Sequence, residues 1–135
     1  MNNILIDQLD ASVFSKFGKI VEKKNALELR SINQGTTTRY HNISELDLES
    51  KNGNSSISIF SGTPRDLPIE IKIMEKHPTA SQSFLPIQDY DWLIVVSEEK
   101  NELPDLNSLR CFHVNGDTGI TSVSYTHLTL PTNGE

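Results

Sequence analysis

The chain of 135 residues has one cysteine, no long apolar run and no cluster of basic residues. A lone thiol, Cys111, cannot form an internal disulfide, so its partly apolar surroundings favour packing over nucleophilic chemistry and indicate a reducing compartment. No stretch approaches the roughly 20 apolar residues of a membrane span. The formal charge of −6 is spread along the chain, which argues against nucleic-acid and anionic-membrane partners. Residues 1–7 lack the features of a secretion signal, so we expect a cytoplasmic protein.

The pattern of short apolar segments predicts one mainly β domain after a short N-terminal helix. Asp10 suits the N-cap of a helix over 11–17, and Gly18 suits its end. Strands are predicted over 26–33, 37–40, 56–60, 68–75, 81–86, 92–97, 111–114 and 123–130. Short strands with turn residues between them are typical of a sandwich or barrel. The continuous apolar run 92–96 predicts a central strand that is covered on both faces.

Residues 67–87 contain the first candidate site. Ile69, Ile71 and Ile73 alternate as on a half-buried strand, and the same period places Glu75 and His77 on their face. Residues on the other face are expected to be solvated, and these are Glu70, Lys72 and Lys76. A carboxylate and an imidazole at the mouth of an apolar pocket would form the beginning of a site.

The spacing Glu75-x-His77-x4-Gln82 matches the first metal-site motif of cupin jelly rolls. Residues two apart face the same way, and about four intervening residues can reverse the chain so that the next strand faces them. The alternative is a Glu and a His at a strand end that only bond to one another.

A second candidate block, residues 32–41, places Arg39 and His41 two apart after a glycine turn. The planar guanidinium of an arginine binds a carboxylate through two hydrogen bonds, as a small carboxylic acid requires. The alternative is a surface arginine beside a tyrosine that anchors the strand.

Taken together and in this order, the two blocks and several shorter pieces resemble the ureidoglycolate lyase family from Ile4 to Ile120. The matching pieces are Phe17-Gly18-Lys19-Ile20-Val21, Ile32-Asn33-Gln34-Gly35, Arg39-Tyr40-His41, Ile57-Ser58-Ile59, Pro64, Leu67-Pro68, Glu75-Lys76-His77-Pro78, Ser81-Gln82-Ser83-Phe84-Leu85-Pro86, Pro104-Asp105-Leu106 and Asn115-Gly116-Asp117-Thr118-Gly119.

This resemblance implies a cupin-like jelly-roll barrel, a homodimer, and cleavage of ureidoglycolate to glyoxylate and urea in purine and allantoin degradation. It also implies a divalent metal, nickel in some descriptions. Glu75 or His77 would transfer the proton, Arg39 would bind the substrate carboxylate, and His41 and Gln82 would orient the substrate. A metal held by Glu75, His77 and Gln82 would bind loosely, because an amide is a weak ligand.

The resemblance ends after Ile120, where the family continues with a Trp-His-His-Pro segment. Residues 121–135 do not match the family, and the segment 123–132 within them resembles a translated sequencing adapter; the alternative is genuine divergence of the tail. We therefore predict a truncated family domain over 1–120 and a foreign tail over 121–135, with the jelly roll incomplete at its C-terminus. Turnover by this chain is then in doubt, and the alternative function is a non-catalytic cupin-like binder of a small carboxylic acid.

Overall fold

A computed structural model describes residues 4–46, 55, 57–61, 66–78 and 80–130, which form short strands and one α-helix, α1 (Ala11–Phe14). The strands of these residues are β1 (Ile6–Gln8), β2 (Gly18–Val21), β3 (Glu28–Ile32), β4 (Thr37–His41), β5 (Glu75–Lys76), β6 (Gln82–Phe84), β7 (Trp92–Ser97), β8 (Glu99–Lys100), β9 (Leu103–Pro104), β10 (Arg110–Val114), β11 (Gly119–Ser122) and β12 (His127–Thr129). The predicted mainly β class with a short N-terminal helix is confirmed.

Two sheets pack face to face. The large sheet has the order β1-β10-β7-β12-β5, in which only β1 and β10 run parallel, and the small sheet has the order β2-β11-β6. The core cluster draws side chains from both sheets and from the segment around α1: Phe14, Phe17, Ile20, Ile94, Val96, Phe112, Val114, Ile120 and Leu128. This two-layer arrangement is consistent with a cupin-like fold, while closure into a barrel remains a prediction.

Helix α1 begins where the sequence predicts and ends earlier. The Asp10 side chain accepts a hydrogen bond from the Ser12 backbone N–H at 2.8 Å, as an N-cap does. The helix stops at Phe14, and Gly18 is the first residue of β2 rather than a helix cap. A Cβ at Gly18 would lie 1.9 Å from the carbonyl oxygen of Thr121 on β11, so glycine is required there by close strand contact.

Strand β7 is central, as its continuous apolar run predicts. Leu93 and Val95 lie on the face opposite the core and pack with Cys111. The predicted strand over 68–75 is wrong for residues 68–74, which form no strand; Ile71 and Met74 instead cover this outer face of the large sheet. Ile73 is 76% exposed, so the alternation of the three isoleucines does not continue to Glu75 on one buried face.

Three further segments differ from the predicted strands. Residues 57–60 are exposed and form no strand, and Ser56 lies outside the described residues. In the segment 123–130 only β12 is a strand, because Tyr125 has φ of +69°, which interrupts an extended chain. Strand β11, which the sequence did not predict, crosses the proposed domain boundary at 120.

Candidate active site

The two sheets are joined at one side by a corner, which we define as residues 75–82. Strand β5 is an edge strand of the large sheet, and β6 is an edge strand of the small sheet. Thr79, within the corner, lies outside the described residues. The motif Glu75-x-His77-x4-Gln82 thus begins on the large sheet and ends on the small sheet.

Glu75 and His77 lie on the same side of the chain. The Nε2 atom of His77 is 4.0 Å from Oε2 of Glu75, which is too long for a hydrogen bond. Glu75 is paired in register with the core residue Leu128. The Glu75 side chain is 71% exposed and the His77 side chain 43% exposed, so solvent reaches both. The two groups are therefore close, with no hydrogen bond between them.

Gln82 faces the interior from the small sheet. It is paired with Ser122 on β11, and two residues along the strand Phe84 packs against the core opposite Ile120. Because side chains two apart share a face of a strand, the Gln82 side chain points toward the layer that contains Leu128. The corner thus places Glu75 and Gln82 on facing sides of the two sheets.

Polar atoms at the predicted positions lack partners. Within the described ranges, the buried side-chain nitrogen and oxygen atoms without a hydrogen bond are His41 Nδ1, His77 Nε2, Gln82 Oε1, Ser97 Oγ and His127 Nε2. Leaving a buried polar atom unbonded costs about 1–3 kcal/mol, so such atoms are uncommon and are often found where a ligand binds. The first three belong to residues that the sequence assigned to the site.

Arg39 and His41 belong to a different sheet from the corner residues. They belong to the β3–β4 hairpin, which forms its own two-stranded sheet. Arg39 is exposed and is paired in register with Arg30, while His41 is half-buried. In the part of the chain that the structure describes, no hydrogen bond or ion pair connects Arg39 or His41 to Glu75, His77 or Gln82.

The corner offers few donors for a metal ion. Among the residues described, no group of three His, Cys, Asp or Glu side chains could hold one. His77 supplies an unbonded imidazole nitrogen, Glu75 a nearby carboxylate and Gln82 an unbonded amide oxygen. Two good ligands with one weak neutral ligand fit at most a loosely held divalent cation.

A second cluster of ionisable groups lies on the other face of the large sheet, and the sequence did not predict it. Lys76 was expected to be solvated, and this expectation is wrong: its Nζ atom is 2.5 Å from Oε1 of Glu99, and both side chains are only 25% exposed. The Nε2 atom of the buried His127 is 3.6 Å from the same oxygen. We call Lys76, Glu99 and His127 the Glu99 cluster.

The Glu99 cluster holds its carboxylate and ammonium in their charged forms. The hydrogen bond from Lys76 lowers the pKa of Glu99, with His127 contributing in the same direction. The bond to Glu99 in turn raises the pKa of Lys76. Glu99 is 23 residues from Lys76 along the chain, so no local spacing could have indicated the pair.

Cys111 has the packing role that its surroundings predict. It is buried beside Leu93 and Val95, and burial raises the pKa of its thiol to about 11. Because the thiolate is the nucleophilic form, this cysteine is unsuited to catalysis at neutral pH.

Comparison with known proteins shows the family of the chain. A family profile described as "Ureidoglycolate lyase" matches residues 1–128. The chain belongs to the ureidoglycolate lyase family. The profile match extends eight residues beyond the domain boundary predicted at 120, and the foreign origin of the tail remains a prediction.

Curated relatives in several bacteria carry the name ureidoglycolate lyase. The protein from Burkholderia mallei is 32% identical over 120 residues, and that from Brucella anthropi is 35% identical over 120 residues. Each alignment covers 89% of this chain and 69% of the relative. Ureidoglycolate lyase 1 of Rhizobium meliloti is 36% identical over 115 residues, covering 85% of this chain and 66% of the relative. No helix within the described ranges is both long and apolar enough to span a membrane.

Proposed function

We propose that this chain is a carbon–nitrogen lyase that cleaves ureidoglycolate to glyoxylate and urea. The observation that carries the proposal is the family match over residues 1–128, which includes the whole corner. The relatives named above are called lyases, and this naming does not favour the alternative of a non-catalytic binder.

The reaction needs one proton to move and no water. Ureidoglycolate carries a hydroxyl group and a urea nitrogen on one carbon, next to a carboxylate. Removal of the hydroxyl proton lets the carbonyl of glyoxylate form as the carbon–nitrogen bond breaks, and the urea nitrogen takes up a proton as it leaves. A group that accepts the first proton and donates the second completes the cycle.

Glu75 and His77 are the candidates for this proton transfer. The Nε2 atom of His77 forms no hydrogen bond, so its bonding capacity is unused and could serve a substrate hydroxyl. A carboxylate 4.0 Å away would stabilise the imidazolium that forms when His77 accepts the proton. In the reverse assignment Glu75 accepts the proton and His77 donates one to the leaving nitrogen.

Three other residues have proposed roles in binding. Gln82, whose Oε1 is unbonded, would orient the urea group through its side-chain amide. Arg39 would bind the substrate carboxylate, and His41 would orient the substrate beside it. Both lie on β4, so we propose that the hairpin contributes the carboxylate-binding part of the site.

In the alternative in which a divalent cation such as nickel occupies the corner, Glu75, His77 and Gln82 would hold it, and a ligating nitrogen or oxygen atom would not accept the substrate proton at the same time. When bound, the cation would polarise a substrate oxygen as a Lewis acid. Because two good ligands and an amide bind weakly, we expect dialysis against a chelator to remove it. Metal analysis after dialysis, with nickel added back, tests this; metal that survives the chelator would contradict the loose site.

The family resemblance supports two further proposals about the setting of the reaction, a role in allantoin and purine degradation and assembly as a homodimer. A location in the cytoplasm is proposed because the lone cysteine suits a reducing compartment. Light scattering coupled to size-exclusion chromatography measures the assembly, and a monomer at micromolar concentration would contradict the dimer.

Glyoxylate release from ureidoglycolate tests the function. His77→Ala should abolish release with circular dichroism unchanged, and Glu75→Gln should reduce it strongly. Glu70→Gln is the matched control, because Glu70 is a similarly exposed carboxylate on the preceding segment. Substrate binding by calorimetry without any glyoxylate release would establish a binder and overturn the lyase.

A further inference from the structure

Lys76 of the Glu99 cluster lies in the corner itself, on the face of β5 opposite to that of Glu75. Strands β7, β12 and β5 are neighbours in the large sheet, and Ser97, His127 and Lys76 are paired in register across them. Paired residues project from the same face, so these three side chains form one row on the outer face. Glu75 belongs to the alternate positions, which face the small sheet.

Strand β5 has few backbone contacts with the rest of the large sheet. It is two residues long, and β12 is its only strand neighbour among the described residues. So short an edge strand forms few backbone hydrogen bonds, and cross-strand side-chain contacts then decide how firmly it is fixed. The hydrogen bond from Lys76 Nζ to Glu99 Oε1, at 2.5 Å, is a side-chain contact of this kind and joins β5 to β8.

The same region also holds the backbone of His77. The Tyr125 N–H donates a hydrogen bond to the His77 carbonyl oxygen at 3.3 Å. The Nζ atom of Lys76 lies 5.7 Å from the centre of the Tyr125 ring, within the range of a cation–π contact. Lys76 therefore contacts both Glu99 and the residue that bonds to His77.

We infer that the Glu99 cluster is a positioning device: by fixing β5 from the outer face, it sets the orientation of Glu75 and His77 on the inner face. Among the described residues, no hydrogen bond or ion pair joins its three side chains to Glu75, His77 or Gln82. The inference rests on the proposed lyase function for its kinetic consequence, while its structural consequence at His77 can be measured without any turnover.

An ordinary surface ion pair would not have this effect. Lys72 and Glu70 form such a pair, 3.9 Å apart with side chains 75% and 70% exposed. Exposed pairs of that kind contribute little to structure. The Glu99 cluster differs because its lysine and carboxylate are mostly covered and its histidine is 6% exposed.

The test compares Lys76→Met and Glu99→Gln, singly and together, with Lys76→Arg as the conservative variant and Lys72→Met as the matched control. Displacing a proton-transfer group by about 1 Å costs up to about 100-fold in rate, so we expect each single variant to lower kcat about tenfold or more with little change in KM. The double variant should lose no more than either single one, because both act through the same contact. Lys76→Arg should restore most of the rate, and Lys72→Met should leave it unchanged.

The imidazole ¹H–¹³C resonance of His77 gives a second readout, with assignment from the His77→Ala spectrum. It should move or broaden in Lys76→Met and remain in place in Lys72→Met. If the unaltered chain releases no glyoxylate, the proposed function fails while this resonance still decides the positioning role. If Lys76→Met does not fold, Glu99→Gln compared with Lys72→Met provides the same test.

Two outcomes would overturn the inference. One is a folded Lys76→Met variant with unchanged kcat and an unmoved His77 resonance. The other is additive loss in the double variant, which would mean that Lys76 and Glu99 act independently.

Discussion

The backbone N–H of Tyr125 donates a hydrogen bond to the carbonyl oxygen of His77 at 3.3 Å. This bond joins the segment between β11 and β12 to the corner that contains the proposed proton-transfer groups. Strand β12 then inserts between β7 and β5, so residues beyond 120 are built into the large sheet. Changes in this segment should therefore affect the whole domain.

Leu128→Ala should destabilise the domain by about 2–5 kcal/mol, since it removes a buried side chain and leaves a cavity. Leu128 is 2% exposed and belongs to the core cluster between the sheets. Urea denaturation measures the loss. Val123→Ala is the control, because Val123 is 47% exposed and its truncation should cost about 0.5 kcal/mol or less. Equal stability of the two variants would show that β12 does not pack on the core.

Gly18→Ala should also destabilise the domain, by roughly 1–3 kcal/mol, through forced separation of β2 and β11. The added Cβ would lie 1.9 Å from the carbonyl oxygen of Thr121, and a backbone atom cannot move aside as the end of a side chain can. Thermal melting of the variant gives the shift. Lys19→Ala, at the next and exposed position of β2, is the control. An unshifted melting temperature in Gly18→Ala would contradict the close pairing of the strands.

The thiol of Cys111 should react slowly with Ellman's reagent in the folded protein. Its pKa of about 11 leaves little thiolate near neutral pH, and the side chain is buried. We expect a rate roughly a hundredfold or more below that of a free cysteine, rising to the free rate in denaturing urea. Fast reaction in buffer alone would place the thiol at the surface.

The contribution of Glu99 to stability should disappear in acid. Its pKa in the folded chain lies below the ordinary value of 4.5, so its stabilising effect is complete above that value and is lost as the pH falls through the lowered pKa. The pKa of Lys76 is raised above 10.5, so its share is lost only at higher pH. The difference in stability between the unaltered chain and Glu99→Gln should therefore be greatest near neutral pH.

Urea denaturation of both proteins between about pH 7 and about pH 3 measures this difference. Convergence of the two curves toward the acid end is the expected result. A constant gap over the whole range would mean that the charge of Glu99 has no part in the effect of the substitution.

Local sequence patterns predicted some elements well, because residues next to one another in the sequence determine those elements. The apolar run of β7 and the N-cap at Asp10 depend on neighbouring residues only, and both appear where they were expected. The five residues assigned to the site came from spacing and family resemblance, and their roles remain predictions.

Other features depend on contacts between distant residues and could not be predicted locally. Gly18 looked like a helix end, whereas its requirement comes from Thr121 on another strand. The alternation through Ile73 failed because Met74, rather than Ile73, packs on the outer face of the large sheet. Lys76 looked solvated because its partner, Glu99, follows only after two intervening strands, β6 and β7.

The strand order of the large sheet has a consequence for how the chain folds. Each neighbouring pair in the order β1-β10-β7-β12-β5 joins strands that are not consecutive in sequence. On a ribosome, β1, β5 and β7 would all emerge before β10 and β12, the strands that join them. Because such long-range pairing must await distant segments, we expect folding in milliseconds to seconds and a nascent chain that needs protection until β12 is available.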